Sequence, residues 1–195
     1  ELQTRIYRQH YGLSEVKIRL IPNALPEMKA ILPSAEYHND IIFAGRLIKL
    51  KNLERLIRAF LKVRESGVKL VIFGQGPAKE DLHNLINKLS QDGRIVMKEN
   101  IQHRELISFI GGCKFFILPS LTEVSPNLAL ECLSLRKPII LTRETGLPAE
   151  LTKKIITVNP LSEDDIKEKI EYLLNDKNLN DYRISLESLA LKPRD

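Results

Sequence analysis

"IIFAGRLIKLKNLERLIRAFLKV", residues 41–63, passes from four apolar residues through a glycine and several basic residues into a segment where Leu53, Leu56, Ile57, Phe60 and Leu61 recur at spacings of three and four. The short apolar run reads as a strand buried on both faces, and the spacing that follows reads as a helix with one apolar stripe. A strand leading directly into a helix is the first half of a βαβ unit, whose second strand lies parallel to the first. The alternation continues, with further apolar runs at 70–73, 95–97, 115–118, 138–141 and 155–158. Helical spacings fall between them, as in Leu82, Leu85, Ile86 and Leu89, and again in Ile166, Ile170, Leu173 and Leu174. The chain therefore predicts an α/β fold, a doubly wound, Rossmann-like parallel sheet of about six strands.

Both ends depart from this rhythm. Residues 1–35 hold a polar, helix-like start, one candidate strand at 18–21, and then Pro22, Pro26 and Pro33. That proline density reads as a linker. Three segments are expected: 1–35 as the tail of a preceding domain and its linker, 36–178 as the sheet domain, and 179–195 as a C-terminal helix packing toward the preceding domain.

Composition narrows the function classes. At 195 residues, 43% hydrophobic and 28% charged, the chain is built for a packed core. Its apolar runs fall far short of the roughly 20 residues that cross a bilayer, and no secretory leader is evident at the start. The net charge of +5 is dispersed and aromatics make up 6%, so no basic–aromatic surface for nucleic acid is indicated. Cys113 and Cys132 lack the spacing of a zinc site, and two reduced, buried thiols favour a cytoplasmic location.

In an open parallel sheet the ligand crevice lies beyond the carboxyl ends of the strands. Four loops there carry candidate chemistry. In "AGRLIKLKN" (44–52), Arg46 and Lys51 flank a helix entry, where amides and the macrodipole already favour an anion such as a diphosphate. Each cation–phosphate pair at about 4 Å has a Coulomb term of about 4 kcal/mol at an effective dielectric near 20. "FGQGPAKE" (73–80) matches neither the dinucleotide fingerprint nor the phosphate loop, and reads as a tight turn. "KENIQHREL" (98–106) contributes His103, which has no Ser or Cys partner and reads as a helix-start or surface histidine. In "TEVSPNLALE" (122–131), Ser125 is placed as a helix cap and Pro126 as the first helical residue, leaving the amides of Asn127 and Leu128 for phosphate oxygens. Glu123 and Glu131 bracket that turn. Carboxylates repel phosphate, so their task is to accept hydrogen bonds from the hydroxyls of ribose or a sugar ring.

Taken in order, "AGRLIKLKN", "FGQGP", "FFILPSLTE", "SPNLALE", "KPIILT" and "TGLPAE" resemble the C-terminal, donor-binding half of the retaining GT-B glycosyltransferases, in particular family four. The likeness covers about residues 40 to 175. It implies a UDP- or GDP-sugar as donor and no metal or other cofactor. Arg46 and Lys51 would neutralise the diphosphate opposite the amides of Asn127 and Leu128. Glu123 would hold hydroxyls of the transferred sugar, Glu131 the ribose, and the backbone near Met97 and Lys98 the base. Arg46, Lys51 and Glu123 are the residues implied for catalysis.

The resemblance also makes "KIRLIPNALP" (17–26) the close of an N-terminal domain and its hinge. The chain is then expected to be a fragment that binds donor but lacks the acceptor domain and transfers little. Polysaccharide and lipopolysaccharide assembly are the pathways implied, in the cytoplasm or at the cytoplasmic face of a membrane with peripheral contact by the full-length protein. The alternatives are a non-catalytic nucleotide-sugar-binding module and a different GT-B enzyme, such as a sugar-nucleotide epimerase. Two departures from the family stand out: Arg136 replaces a frequent glycine in "CLSLRKP" (132–138), and Lys114 falls where an aspartate is frequent.

Overall fold

The computed structural model describes residues 31–90 and 92–188, together with residues 9, 11, 12, 25, 26 and 28. The candidate strand at 18–21 lies outside the described residues. The apolar runs form six strands: β1 (Ile41–Ala44), β2 (Leu70–Phe73), β3 (Ile95–Lys98), β4 (Phe115–Leu118), β5 (Ile139–Thr142) and β6 (Ile156–Val158). Every pairing is parallel, in the order β3-β2-β1-β4-β5-β6. β1, β2, β4 and β5 are buried throughout, whereas the edge strands β3 and β6 are only partly so. Only strands covered on both faces need unbroken apolar sequence.

Between the strands run α1 (Leu53–Leu61), α2 (Lys79–Leu89), α3 (His103–Gly112), α4 (Asn127–Ser134) and the short α5 (Ala149–Thr152); α6 (Glu163–Leu174) and α7 (Asp176–Glu187) follow β6. The stripe of α1 buries Leu53, Leu56, Ile57, Ala59 and Phe60, and that of α6 buries Ile166, Ile170, Leu173 and Leu174. α7 packs on this same core through Leu179, Tyr182 and Leu186. The Tyr182 hydroxyl donates to the carbonyl of Ile139 (3.2 Å) and accepts from the amide of Ile156 (3.3 Å), fastening the helix to β5 and β6. β5 starts one residue later than the apolar run because Pro138 has no N–H to give the ladder, although its carbonyl accepts from Phe116 (3.0 Å).

The order reverses between β1 and β4, so the loops that leave these two strands diverge and open a crevice. Two features fix those loops. Asn52 sits in the left-handed region (φ 58°), which asparagine tolerates, and its buried side chain donates to the carbonyls of Pro119 (3.0 Å) and Pro160 (2.7 Å). It thereby ties the loop after β1 to those after β4 and β6. Gly74 and Gly76 let the loop after β2 lie directly on the loop after β1, since a Cβ on either would collide with the carbonyl of Gly45 or Leu47. Backbone bonds from Gly45 to Phe73 (3.0 Å) and from Leu47 to Gln75 (2.8 Å) seal that contact.

Candidate functional site

At the reversal point a cavity of about 580 Å³ is lined from the end of β1 by Arg46, from the loop after β3 by Asn100 and Ile101, from the start of α3 by His103, and from α4 by Leu128 and Glu131. That volume suits a small-molecule ligand. Gln75 and Asn127 add amide side chains, while Phe73 and Leu106 add apolar wall. Phe73 is braced by a stacked contact with Phe109 (centroids 5.8 Å apart), and Tyr37 stands edge-on to both rings.

Arg46 is exposed on this wall and forms no ion pair among the described residues. A guanidinium held there without a carboxylate is available to an anionic ligand. Across from it, α4 begins at Asn127 with Pro126 in the capping position, one residue later than the sequence suggests. Ser125 does not cap the helix; its hydroxyl contacts Asn127 Oδ1 (3.2 Å). The Asn127 amide donates to the Ser125 carbonyl (2.9 Å), and the first helical bond runs from Leu130 to Pro126 (3.0 Å). The amide of Leu128 precedes that bond and projects from the helix end, where anions are favoured.

Lys51 and Glu123 lie beside the cavity and hold each other. Lys51 Nζ is 2.5 Å from Glu123 Oε1, which also accepts from the Ser120 hydroxyl (2.5 Å). Glu123 is only 8% exposed, and its backbone is clamped by Glu144 (2.8 Å) and Gly146 (2.7 Å) of the loop after β5. Leu121 donates to the carbonyl of Leu50 (2.9 Å), which brings Lys51 into reach. The segments "FFILPSLTE" and "TGLPAE" thus meet at one residue.

Glu131 projects from the second turn of α4. Burial raises its carboxyl above the ordinary range, and the nearby His103 opposes that rise. His103 Nε2 stands 3.3 Å from Glu131 Oε2.

Of the residues singled out in sequence, Arg46, Asn127, Leu128 and Glu131 line the cavity, and Lys51 and Glu123 adjoin it as a pair. Ser125 is exposed at the turn. Met97 and Lys98 are off the wall, paired along β3 with Ile72 and Phe73, and the Lys98 carbonyl is taken by Gly74 (3.2 Å). Asn100, Ile101 and His103 line it instead, because the chain leaves the sheet only after Lys98. His103 does start α3, as its position indicates, but it also faces Glu131, and no local pattern signals a contact between residues 28 positions apart.

A doubly wound domain with a cationic and acidic cavity at its reversal point belongs among the open-sheet α/β proteins whose ligand crevice lies beyond the carboxyl ends of the strands. The sequence comparisons are more specific: the model of the family "Glycosyl transferases group 1" matches residues 26–185, and the chain belongs to that family. An uncharacterized glycosyltransferase of Methanocaldococcus jannaschii is 29% identical over 181 residues, covering 86% of this chain and 42% of its own length. The N-acetylgalactosamine-N,N'-diacetylbacillosaminyl-diphospho-undecaprenol 4-alpha-N-acetylgalactosaminyltransferase of Campylobacter jejuni is 29% identical over 149 residues, 73% of this chain and 40% of that protein. The chain therefore spans about two-fifths of the length of these relatives. Among solved structures, the C-terminal domain of a glycosyl transferase group 1 family protein (LpcC) from Francisella tularensis superposes with a TM-score of 0.67 at 22% identity, covering 84% of this chain and 89% of that one. The fold is that of GT-B glycosyltransferase C-terminal domains.

Proposed function

We propose that this chain is the donor-binding domain of a retaining glycosyltransferase that takes a sugar from a UDP- or GDP-sugar and passes it to a glycan or lipid-linked acceptor. The observation that carries this reading is the cavity at the β1/β4 reversal, which gathers Arg46, without an ion pair among the described residues, the start of α4 and the carboxylate of Glu131. Arg46 and the Leu128 amide grip the diphosphate and stabilise the charge that develops as it leaves, without a metal ion. Glu131 accepts hydrogen bonds from the ribose hydroxyls, and Ile101, Leu106 and Leu128 offer apolar surface to the base.

Lys51 and Glu123 complete the site by exchanging partners. When donor enters, Lys51 turns to the diphosphate and Glu123 to hydroxyls of the sugar, while Ser120 keeps Glu123 in place. The acceptor surface is assigned to sequence beyond this chain, in keeping with the greater length of the relatives, so the chain alone binds donor and transfers little. Polysaccharide or lipopolysaccharide assembly is the setting, and the two free, buried thiols accord with a cytoplasmic place for it. Among the described residues no helix is long and apolar enough to cross a membrane.

Calorimetric titration with UDP, GDP, uridine and guanosine tests the reading. Arg46→Ala is expected to weaken nucleoside diphosphate binding by about 1.5–3 kcal/mol, the scale of charge-assisted hydrogen bonds, and to leave nucleoside binding unchanged. Equal losses for nucleoside and nucleotide would remove the diphosphate from Arg46.

A further inference from the structure

The contact between His103 and Glu131 is not explained by diphosphate binding. Glu131 Oε2 is closed off from solvent and, among the described residues, has no well-aligned hydrogen-bond donor, although His103 Nε2 stands 3.3 Å away. Buried carboxylate oxygens without a donor are rare in native proteins, and each one calls for a physical account. Two cations reach this cavity or its edge. Arg46 lines the β1 side and has no ion pair with Glu131, and Lys51 pairs with Glu123 and is assigned to the diphosphate once donor is bound. His103 is thus the donor within reach. Its side chain is 62% exposed, so the ring has room to turn. It also begins α3, and an imidazole bearing a hydrogen on Nε2 donates in the direction of Glu131.

We propose that His103 is a positioning residue for Glu131: its Nε2–H fixes one carboxylate oxygen, so that the other is presented to the vicinal diol of a nucleoside ribose. This rests on the nucleotide-sugar reading above and adds to it a residue outside the paired glutamates. His103 itself does not touch the ribose. Its effect is to keep the carboxylate from rotating away when the diol arrives, and selectivity for ribose over deoxyribose is the quantity that reports it.

The experiment measures dissociation constants of the 195-residue chain for UDP and GDP and for their 2′-deoxy counterparts, in the parent and in His103→Ala, His103→Gln, Glu131→Gln and the His103→Ala/Glu131→Gln double variant. The parent is expected to prefer the ribonucleotide about ten-fold, the scale of a hydrogen bond to a charged group. His103→Ala brings the ratio to about two-fold or less, and His103→Gln, whose amide also donates, restores most of it. Glu131→Gln loses the preference too, and adding His103→Ala to it changes the ratio no further, as expected of residues acting through one carboxylate. A merely structural role at the start of α3 would weaken ribo- and deoxyribonucleotides alike and leave the ratio untouched, which overturns the proposal. A parent that binds UDP or GDP without preferring ribose also overturns it and spares the nucleotide-sugar reading, whereas a parent that binds neither removes both.

Discussion

Lys51 and Glu123, 72 positions apart in sequence, meet at 2.5 Å across the β1/β4 reversal and join the two loops that frame the cavity. The pair is mostly withdrawn from water, with side-chain exposures of 19% and 9%, so each charge depends on the other. Such pairs add little net stability relative to a matched apolar pair, yet removing one partner strands the second charge.

That asymmetry separates structural from functional loss. Lys51→Met leaves the Glu123 carboxylate with only the Ser120 hydroxyl and is expected to destabilise the chain by about 2 kcal/mol in chemical denaturation. Glu123→Gln in the same chain removes the stranded charge and recovers most of that loss, so the two substitutions are strongly non-additive. Binding of UDP or GDP stays weak in the double variant, because neither the cation nor the carboxylate is restored. Additive destabilisation would show that the two charges are independently solvated.

Glu131 is expected to oppose stability where it serves binding. Burial raises its carboxyl, with His103 acting against the rise, so between the ordinary 4.5 and the raised value the folded chain binds more protons than the unfolded one. The folded state is accordingly favoured when Glu131 is protonated, and that advantage is lost as pH climbs through the raised value. Glu131→Gln, uncharged at every pH, should melt at a higher temperature than the parent at pH 7 and converge with it as pH falls toward 4.5. Thermal melts across that range check the sign, and the same variant should bind ribonucleotides less well.

The sheet was readable because β1, β2, β4 and β5 are buried on both faces and leave unbroken apolar runs in the chain. Arg46 and Glu131 were readable because one follows a strand and the other lies near the start of the helix after one, the ends that face the crevice in any sheet of this winding. Contacts between distant loops were not. Asn52 looks like an ordinary loop asparagine in sequence, yet it bridges Pro119 and Pro160. The closeness of Lys51 to Glu123, and of His103 to Glu131, likewise arises only when loops from different strands pack together.

The alkaline limb of stability is set by buried groups that do not line the cavity. Burial raises the Cys113 thiol from 9.0 to about 12, holds Cys132 well above 9.0, and lifts Tyr182 from 10.0 to about 12. Unfolding releases these protons from about pH 9 upward while the folded chain retains them, so stability falls as pH rises toward 12. Lys137 works in the opposite sense, since burial lowers its ammonium and the folded state gains as that charge is shed below the ordinary 10.5. Tyr37, raised by burial and by Glu36, and Lys62, raised by Glu163 and Asp164, act in the same sense as the two thiols and Tyr182, so Lys137 is outweighed and the net effect is a decline. Urea midpoints at pH 10 should lie below those at pH 8, and Cys113→Ala, although less stable at pH 8, should show a shallower decline.

Arg136 marks the last expectation, at the carboxyl end of α4. Its amide bonds to the carbonyl of Leu133 (2.9 Å) and that of Lys137 to Cys132 (2.9 Å), the pairing of a Schellman ending, whose left-handed residue is normally glycine. Here an arginine takes φ 54°, where a Cβ crowds the following carbonyl at a cost of about 1–2 kcal/mol. The side chain is exposed and forms no ion pair among the described residues, so little offsets that strain. Glycine relieves it but enlarges the freedom of the unfolded chain, which returns about 0.4–1 kcal/mol of the gain. Arg136→Gly is therefore expected to stabilise the chain by about 0.5–1 kcal/mol in urea unfolding without altering UDP or GDP binding. Arg136→Ala, which keeps the Cβ and the strain, should give no such gain. A destabilised glycine variant would mean that the guanidinium contributes more to this helix end than its exposure indicates.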